Sequence, residues 1–195
     1  MRLYVVRHGE TDWNVAKRWQ GHADIPLNEA GRAQARETAE ALRGFAFTAI
    51  VSSPLSRASQ TADAIAAASG LPVEIEPLLI ERNVGAMSGK TVEQYRADVP
   101  GEPFPDMELW EDVKLRGVMA LTACAEAHPG EDIVVVTHGG LVRAAAEALL
   151  PEGERPAEMH LKNASICRFD YTDGTLAVVF YNKTADEWSR GLPCR

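Results

Sequence analysis

The chain of 195 residues lacks several features that would assign it at once to a class of protein. It has no apolar stretch approaching the roughly 20 residues that a membrane-spanning helix needs. It also lacks the pattern G-x-x-x-x-G-K-[S/T], and no G-x-G-x-x-G opens a helix. Both common glycine-rich nucleotide-binding loops are therefore excluded.

Cysteine and positive charge are also scarce. Cys124, Cys167 and Cys194 are odd in number and too widely spaced for a metal clip, so we expect reduced thiols in a cytoplasmic protein. The formal net charge is -8, and the sequence pI is about 5.2. An acidic surface argues against nucleic acid and membrane surfaces as partners, because both are polyanions. A small anionic ligand would need positive charge concentrated in a local site.

Strand-like and helix-like segments alternate along most of the chain, which favours a mostly parallel sheet with helices on both faces. The sequence therefore predicts an α/β fold, a three-layer sandwich around a central sheet of about six strands. Predicted strands cover residues 3–8, 49–53, 73–80, 132–137, 165–171 and 175–181. The third is interrupted at Pro77, so its inner half is expected to be irregular, and the last two flank a "TDG" hairpin turn. Predicted helices cover residues 28–43, 54–69 and 139–150, with two more pieces within 90–128 that the loop "VPGEPFPD" separates.

Charged residues follow four of the predicted strands. Ligands of such sheets bind in the crevice outside the carboxyl ends of the strands. Residues from four strand ends are therefore expected to converge: Arg7 with His8, Arg57, Glu81, and His138 with Gly139. Each of them alone also has an ordinary structural role, such as a surface charge pair or a helix cap. Only their combination at one sheet edge predicts a functional site.

Two arginines beside two histidines favour a phosphate dianion as the ligand. Guanidinium groups bind phosphate oxygens in pairs, and a helix that begins at Gly139 adds backbone N–H donors. Thr11 and Asn14, in the loop after the first strand, offer uncharged hydrogen bonds. A neutral imidazole is a nucleophile toward phosphorus, and Glu81 offers a carboxyl group for the leaving oxygen. The cationic cluster stabilises the transferring group, so we expect no metal and no cofactor.

Six motifs, in the expected order, resemble those of the histidine phosphatase superfamily, also called the phosphoglycerate mutase-like family. They are "VVRHGETDWN", "GHADIPLNEAGRAQA", "VSSPLSRASQTADAI", "ERNVGAMSGKT", "VVVTHGGLVRA" and "NASICRFD". The resemblance covers nearly the whole chain, and "RHGET" followed by "THGG" is a highly specific combination. It implies a phosphoglycerate mutase-like fold in a single domain over residues 1–195.

The resemblance also implies a role for each site residue. His8 would be the phosphorylated nucleophile, and Glu81 would be the proton donor. The phosphoryl group would be held by Arg7, Arg57 and His138. The remaining substrate contacts would come from Asn14 and the adjoining loop, Gln20, Gly21 and His22.

The superfamily contains phosphatases and mutases, and the sequence favours a metal-independent phosphatase. Mutases carry a longer insertion after the general acid with a pair of arginines, whereas residues 90–116 contain only Arg96 and Arg116, which are not adjacent. Val84 stands where such mutases usually place a tyrosine. The alternative is a cofactor-dependent phosphoglycerate mutase. A module that only binds a phosphorylated ligand is disfavoured, because nucleophile and acid are both present.

Substrate choice is expected to lie with residues 84–112, an insertion that would form a lid over the crevice. Lys90 and Arg96 are its nearby cations, which favours a monophosphate on a small and weakly anionic body. We expect a small phosphorylated metabolite as the partner, no nucleic acid, no membrane, and a monomer or homodimer. The lid offers large apolar side chains either as cavity walls or as packing between short helices: Met87, Tyr95, Phe104, Met107 and Trp110.

Overall fold

The computed structural model describes residues 1–98, 106–156 and 159–191. The strands within these residues form one sheet. The strands are β1 (Arg2–Arg7), β2 (Ala49–Ser52), β3 (Val73–Ile75), β4 (Ile133–Thr137), β5 (Ile166–Thr172) and β6 (Thr175–Lys183). Their spatial order is β3-β2-β4-β1-β5-β6. The first four run parallel, whereas β5 is antiparallel to β1 and β6 is antiparallel to β5. The prediction of a mostly parallel sheet of about six strands is confirmed.

The helices of the described residues largely match the predicted ones. They are α1 (Asp12–Val15), α2 (Glu29–Leu42), α3 (Ser56–Ser69), α4 (Val92–Asp98), α5 (Trp110–Ala127), α6 (Gly139–Leu149) and α7 (Ala185–Gly191). The Asn28 side chain caps α2, and α3 ends at Gly70, whose φ of 77° suits glycine. The predicted loop "VPGEPFPD" between α4 and α5 lies outside the described residues except for Asp106. The short helices α1 and α7 were not predicted.

Alternate residues of the central strands face opposite helical layers. Val135 of β4 packs in a core formed with α5 and α6, whereas Val134 packs in a second core formed with α2, α3 and α7. Both valines are fully buried. A buried side chain of this kind contributes roughly 1.5–3 kcal/mol, so the two cores hold the helices against both faces of the sheet. The predicted three-layer sandwich is confirmed.

The third strand is interrupted near Pro77, as the sequence predicted. Of the predicted range 73–80, only Val73–Ile75 forms β3, and residues Pro77–Leu79 form a single 3-10 turn. Pro77 has no N–H group to donate to a neighbouring strand, and the Glu76 side chain accepts a hydrogen bond from the Leu78 N–H at 2.8 Å instead. The turn carries the chain from the sheet edge toward Glu81.

The parallel strands β1 to β4 all point their carboxyl ends toward one edge of the sheet. The segments that leave this edge begin with His8 after β1, Ser53 after β2 and His138 after β4. Among the residues described, no helix is long and apolar enough to cross a bilayer.

Candidate active site

A cavity of about 470 Å³ opens at the carboxyl edge of the sheet. Residues from β1, the loops after it, α3 and the N-terminus of α6 all reach this cavity. Eight of the eleven residues predicted as catalytic or substrate-binding line it: Arg7, His8, Asn14, Gln20, Gly21, Arg57, Glu81 and Gly139. The predicted convergence of the strand ends is therefore present in the structure.

His8 is buried just beyond β1, and one of its ring nitrogens makes a hydrogen bond. Its Nδ1 lies 2.6 Å from the carbonyl oxygen of Gly9. Because a carbonyl only accepts, Nδ1 donates the hydrogen and Nε2 keeps its lone pair. Burial, followed by the positive charges of Arg7 and Arg57, lowers the pKa of His8 well below its ordinary value of 6.5. The imidazole is therefore neutral and nucleophilic at neutral pH.

Arg7 and Arg57 are buried guanidinium groups held by backbone carbonyl groups. Arg7 donates from Nη1 to the Leu161 carbonyl, and Arg57 donates to the carbonyls of Ala23 at 2.7 Å and Gly21 at 2.8 Å. Burial lowers the pKa of Arg57 to about 10, so it remains cationic at neutral pH. In the part of the chain that the structure describes, the Nε atoms of both arginines are buried without a hydrogen-bond partner. An oxyanion in the cavity would supply acceptors for this pair.

Glu81 reaches the cavity from the loop after the 3-10 turn. Its carboxylate oxygens accept hydrogen bonds from the backbone N–H of Gly140 at 3.1 Å and of Arg82 at 2.8 Å. A Cβ atom at Gly140 would lie 2.3 Å from Glu81 Oε1, so a larger residue there would displace the carboxylate from this position. The carboxyl group is thereby fixed in the same cavity as His8.

His138 lies behind His8 and is fully buried. The two ring centroids are 5.3 Å apart, and His138 Nε2 is 2.7 Å from Ser53 Oγ. Burial, followed by the charge of Arg57, lowers the pKa of His138 well below 6.5. Its Nδ1 is buried and has no partner within the described residues. His138 is not among the residues that line the open cavity.

Two residues predicted as substrate contacts instead support their neighbours. Thr11 is buried and caps α1, and its hydroxyl donates to Asn14 Oδ1 at 3.0 Å, so Asn14 rather than Thr11 lines the cavity. His22 is exposed, and its Nε2 contacts the Glu81 carbonyl oxygen at 2.8 Å without lining the cavity. Side-chain direction in a loop depends on the turn, which the motif alone did not reveal.

Gln20 and Gly21, which the sequence analysis predicted as substrate contacts, line the cavity. Gln20 Oε1 is buried without a partner among the described residues. Gly21 has a φ of 50°, and a Cβ atom there would lie 2.5 Å from Val84 Cγ2.

Asn163 was not predicted as a site residue, although it lies in the motif "NASICRFD". Its Nδ2 donates to Asn14 Oδ1 at 3.2 Å.

The expectation for the walls of the cavity was only partly correct. Of the large apolar residues in 84–112, Trp110 lines the cavity, whereas Met87 and Tyr95 pack with Val84 in a small buried cluster. Met107 packs against the same cluster, and Phe104 lies outside the described residues. Packing between short helices is thus the role of most of these side chains.

The outer cations of the cavity do not come from the segment 84–112. Lys90 pairs with Asp98 at 2.8 Å, and neither Lys90 nor Arg96 lines the cavity. Three other arginines do line it: Arg18, Arg82 and Arg143. Two of them had a signal in the sequence. Arg82 follows Glu81 directly, and Arg143 lies four residues after Gly139, on the same face of α6.

Comparison with known proteins agrees with this geometry. A model of the histidine phosphatase superfamily (branch 1) matches residues 3–184. The uncharacterized phosphatase PhoE of Bacillus subtilis (strain 168) is 33% identical over 178 residues, which are 91% of this chain and 92% of that protein. The probable phosphoglycerate mutase GpmB of Yersinia pestis (strain Pestoides F) is 35% identical over 187 residues, 89% of this chain and 86% of that protein.

A solved structure is similar to this chain in both fold and sequence. The mycobacterial glucosyl-3-phosphoglycerate phosphatase in complex with VO3 superposes with a TM-score of 0.83 and is 32% identical, covering 94% of this chain and 99% of that one. The chain belongs to the histidine phosphatase superfamily. Members of this superfamily are phosphatases and mutases, and their shared fold is the one described above.

Proposed function

We propose that this protein is a phosphomonoester hydrolase that acts through a phosphohistidine on His8 and needs no metal. The observation that carries the proposal is the environment of His8. A neutral imidazole with a free Nε2 lone pair lies among the charges of two buried arginines, Arg7 and Arg57, each with an unpartnered Nε among the described residues. This arrangement combines a nucleophile with fixed positive charge for the phosphoryl group.

The first chemical step forms the phosphoenzyme. His8 Nε2 attacks the phosphorus atom, a P–N bond forms, and the bond from phosphorus to the ester oxygen breaks. The protonated Glu81 carboxyl group gives its proton to the leaving oxygen, so the product is a neutral alcohol. The Gly9 carbonyl, which accepts from His8 Nδ1 at 2.6 Å, stabilises the positive charge that the ring acquires. Arg7 and Arg57 stabilise the transferring phosphoryl oxygens.

The second step regenerates the enzyme. A water molecule attacks the phosphorus atom, and the Glu81 carboxylate takes its proton. The P–N bond breaks, its electron pair returns to His8 Nε2, and inorganic phosphate leaves. His138 would donate from Nδ1 to a phosphoryl oxygen, with Ser53 at its other nitrogen. The protein would form a single domain in which residues 84–112 are a lid over the cavity. Its substrate would be a small phosphorylated metabolite.

A mutase is the second candidate, because a relative of 35% identity is named a probable phosphoglycerate mutase. In a mutase the phosphoryl group of His8 would pass to a second hydroxyl group rather than to water. Net transfer between the 2- and 3-positions of phosphoglycerate, faster than release of phosphate and dependent on a bisphosphate primer, would identify this activity.

The test of the proposal is release of inorganic phosphate from a panel of phosphomonoesters in excess chelator. We expect release from the wild type to survive the chelator, because guanidinium groups carry the charge. His8→Ala should lose activity by about 10⁴-fold or more, as in other enzymes that lose their nucleophile. Complete loss of wild-type release in the chelator, restored by adding a divalent cation, would contradict the metal-independent mechanism.

A further inference from the structure

The backbone that carries Glu81 is held by side chains rather than by a neighbouring strand. β3 ends at Ile75, and residues 78–83, here called the acid loop, have no strand partner among the residues described. Backbone carbonyl groups without a strand partner need other donors. The four carbonyl oxygens of residues 78–81 all accept hydrogen bonds from side chains. The inference that follows rests on the proposed function and concerns how Glu81 is positioned.

Arg116 of α5 donates to three of these four carbonyl groups. Its Nη1 donates to the carbonyl oxygens of Leu78 at 2.9 Å and Ile80 at 2.6 Å, and its Nη2 donates to that of Glu81 at 3.3 Å. The donors of a guanidinium group have a fixed planar arrangement. One side chain therefore fixes three carbonyl groups relative to each other and to α5.

Glu108 orients the guanidinium group of Arg116. The two carboxylate oxygens of Glu108 accept from Arg116 Nε and Nη2, both at 2.9 Å, and the two side chains are only 19% and 17% exposed. Paired bonds of this kind fix the guanidinium plane. Burial acts to raise the pKa of Glu108, but hydrogen bonds from Arg116 and from the Asn83 N–H lower it below the ordinary value of 4.5. The ion pair is therefore present at neutral pH.

Glu108 also holds the end of the acid loop. Its Oε2 accepts from the backbone N–H of Asn83 at 3.0 Å, and its backbone N–H donates to the Asn83 carbonyl at 2.9 Å. Its carbonyl oxygen accepts from Arg82 Nε at 2.8 Å. The acid loop is thus fixed up to Glu81 by Arg116 and beyond Glu81 by Glu108. A misplacement of about 1 Å can cost about 100-fold in rate, so a fixed backbone at Glu81 matters for catalysis.

We propose that Arg116, held by Glu108, positions Glu81 for proton transfer to the leaving oxygen. Arg116 is a positioning residue rather than a catalytic one, because it contacts the backbone of the acid loop and does not line the cavity. A purely structural role would affect every ester alike. Loss of a positioned acid instead slows most the reactions whose leaving oxygen needs a proton.

The experiment compares phenyl phosphate with p-nitrophenyl phosphate. Both carry one aromatic ring, but the nitro group stabilises the leaving phenolate, which then needs little protonation. The value of kcat/KM, measured by release of inorganic phosphate, reports the steps up to formation of the phosphoenzyme, in which Glu81 acts as the acid. General acids contribute about 10²- to 10⁴-fold. Arg116→Gln should therefore lower kcat/KM by about 10- to 100-fold for phenyl phosphate and by less than about 3-fold for p-nitrophenyl phosphate. The loss should lie mainly in kcat, because Arg116 does not line the cavity.

The matched control is Lys114→Gln, in the same helix. Lys114 pairs with Glu111 at 2.8 Å, is 19% exposed and does not line the cavity. This control should leave the ratio of the two esters unchanged, so a general effect of charge on α5 is separated from a local one. Thermal denaturation checks that each variant is folded at the assay temperature.

Glu108→Gln is a second variant, which decides the question if Arg116→Gln does not fold. Its amide group would place an NH2 group against a donor, either Arg116 or the Asn83 N–H, and so weaken the hold on the guanidinium group. The ratio of kcat/KM for p-nitrophenyl phosphate to that for phenyl phosphate should rise, by a smaller factor than in Arg116→Gln. An unchanged ratio in both variants would overturn the positioning role.

Glu81→Gln distinguishes failure of the positioning role from failure of the proposed function. This variant should itself raise the ratio, and Arg116→Gln added to it should change the ratio no further, because no acid remains to be positioned. If Glu81→Gln raises the ratio but Arg116→Gln lowers activity toward both esters equally, the positioning role is wrong and the proposed function stands. If Glu81→Gln leaves the ratio unchanged, or the wild type hydrolyses neither ester, the proposed function fails and the positioning role fails with it.

Discussion

His8 and His138 are two buried imidazole groups in one cationic environment. Both have pKa values well below 6.5, with burial as the first cause. Between that lowered pKa and 6.5, the unfolded chain binds more protons than the folded one. The free energy of unfolding must therefore fall as the pH drops below about 6.5, by up to about 1.4 kcal/mol per pH unit for each histidine.

Replacing His8 by asparagine tests this coupling. The His8→Asn variant should lose part of the decrease in unfolding free energy between about pH 7.5 and about pH 5.5. Urea denaturation at both pH values measures it. His138→Asn should behave in the same way, and the double variant should have the flattest dependence. A His8→Asn protein as sensitive to pH as the wild type would show that the folded imidazole protonates normally.

The residues that the sequence placed correctly in the cavity come mostly from strand ends. Arg7, His8 and Gly139 lie there because the end of a parallel strand fixes both the edge of the sheet and the direction of the chain. Trp110 was predicted only as a possible apolar wall, and Arg143, although it lies four residues after Gly139 on the same face of α6, was not assigned to the site. Their positions depend on how α5 packs against α6, where the Glu147 side chain accepts hydrogen bonds from both.

At the scale of elements, the N-terminus of α2 supports the loop that carries His8. The α2 cap Asn28 donates from its backbone to the Glu10 carbonyl at 3.0 Å. Gly31 in the first turn of α2 lies so close that a Cβ atom there would be 2.0 Å from the Glu10 carbonyl oxygen. A Cβ atom at Gly9 would in turn lie 2.4 Å from the Gly31 carbonyl. Glycine at both positions allows the helix and the loop to pack together.

This contact predicts that Gly31→Ala destabilises the protein although alanine favours helices. Helix propensity alone would add up to about 1 kcal/mol of stability. The clash with the backbone of Glu10 should outweigh it and lower the free energy of unfolding by about 1–3 kcal/mol, as overpacking does. Activity should also fall, because the displaced loop includes the Gly9 carbonyl that orients His8. Urea denaturation and the phosphate-release assay measure the two effects.

Gly44→Ala is the matched control, because no atom lies within 4 Å of a Cβ built at Gly44. We expect its free energy of unfolding to stay within about 0.5 kcal/mol of the wild type. If Gly31→Ala is as stable as Gly44→Ala, the close packing of α2 on the loop after β1 is not required.

At the scale of the whole molecule, charge is strongly segregated. The chain has a net charge of -8, yet five arginines and one carboxylate line its main described cavity. The composition predicted that a small anionic ligand would need positive charge concentrated in a local site, and the structure contains such a cavity. Composition did not reveal how large the site is, because Arg18, Arg82 and Arg143 reach it from three separate segments of the chain.

The central claim is that the phosphoryl group passes through His8. The most direct measurement is rapid quenching of the wild type during turnover of a phosphomonoester, followed by digestion and mass spectrometry of the peptide that contains residue 8. The account predicts an acid-labile, alkali-stable phosphoryl group on His8 that disappears when the substrate is exhausted. Turnover with no phosphoenzyme at any time, together with an active His8→Ala protein, would contradict the account.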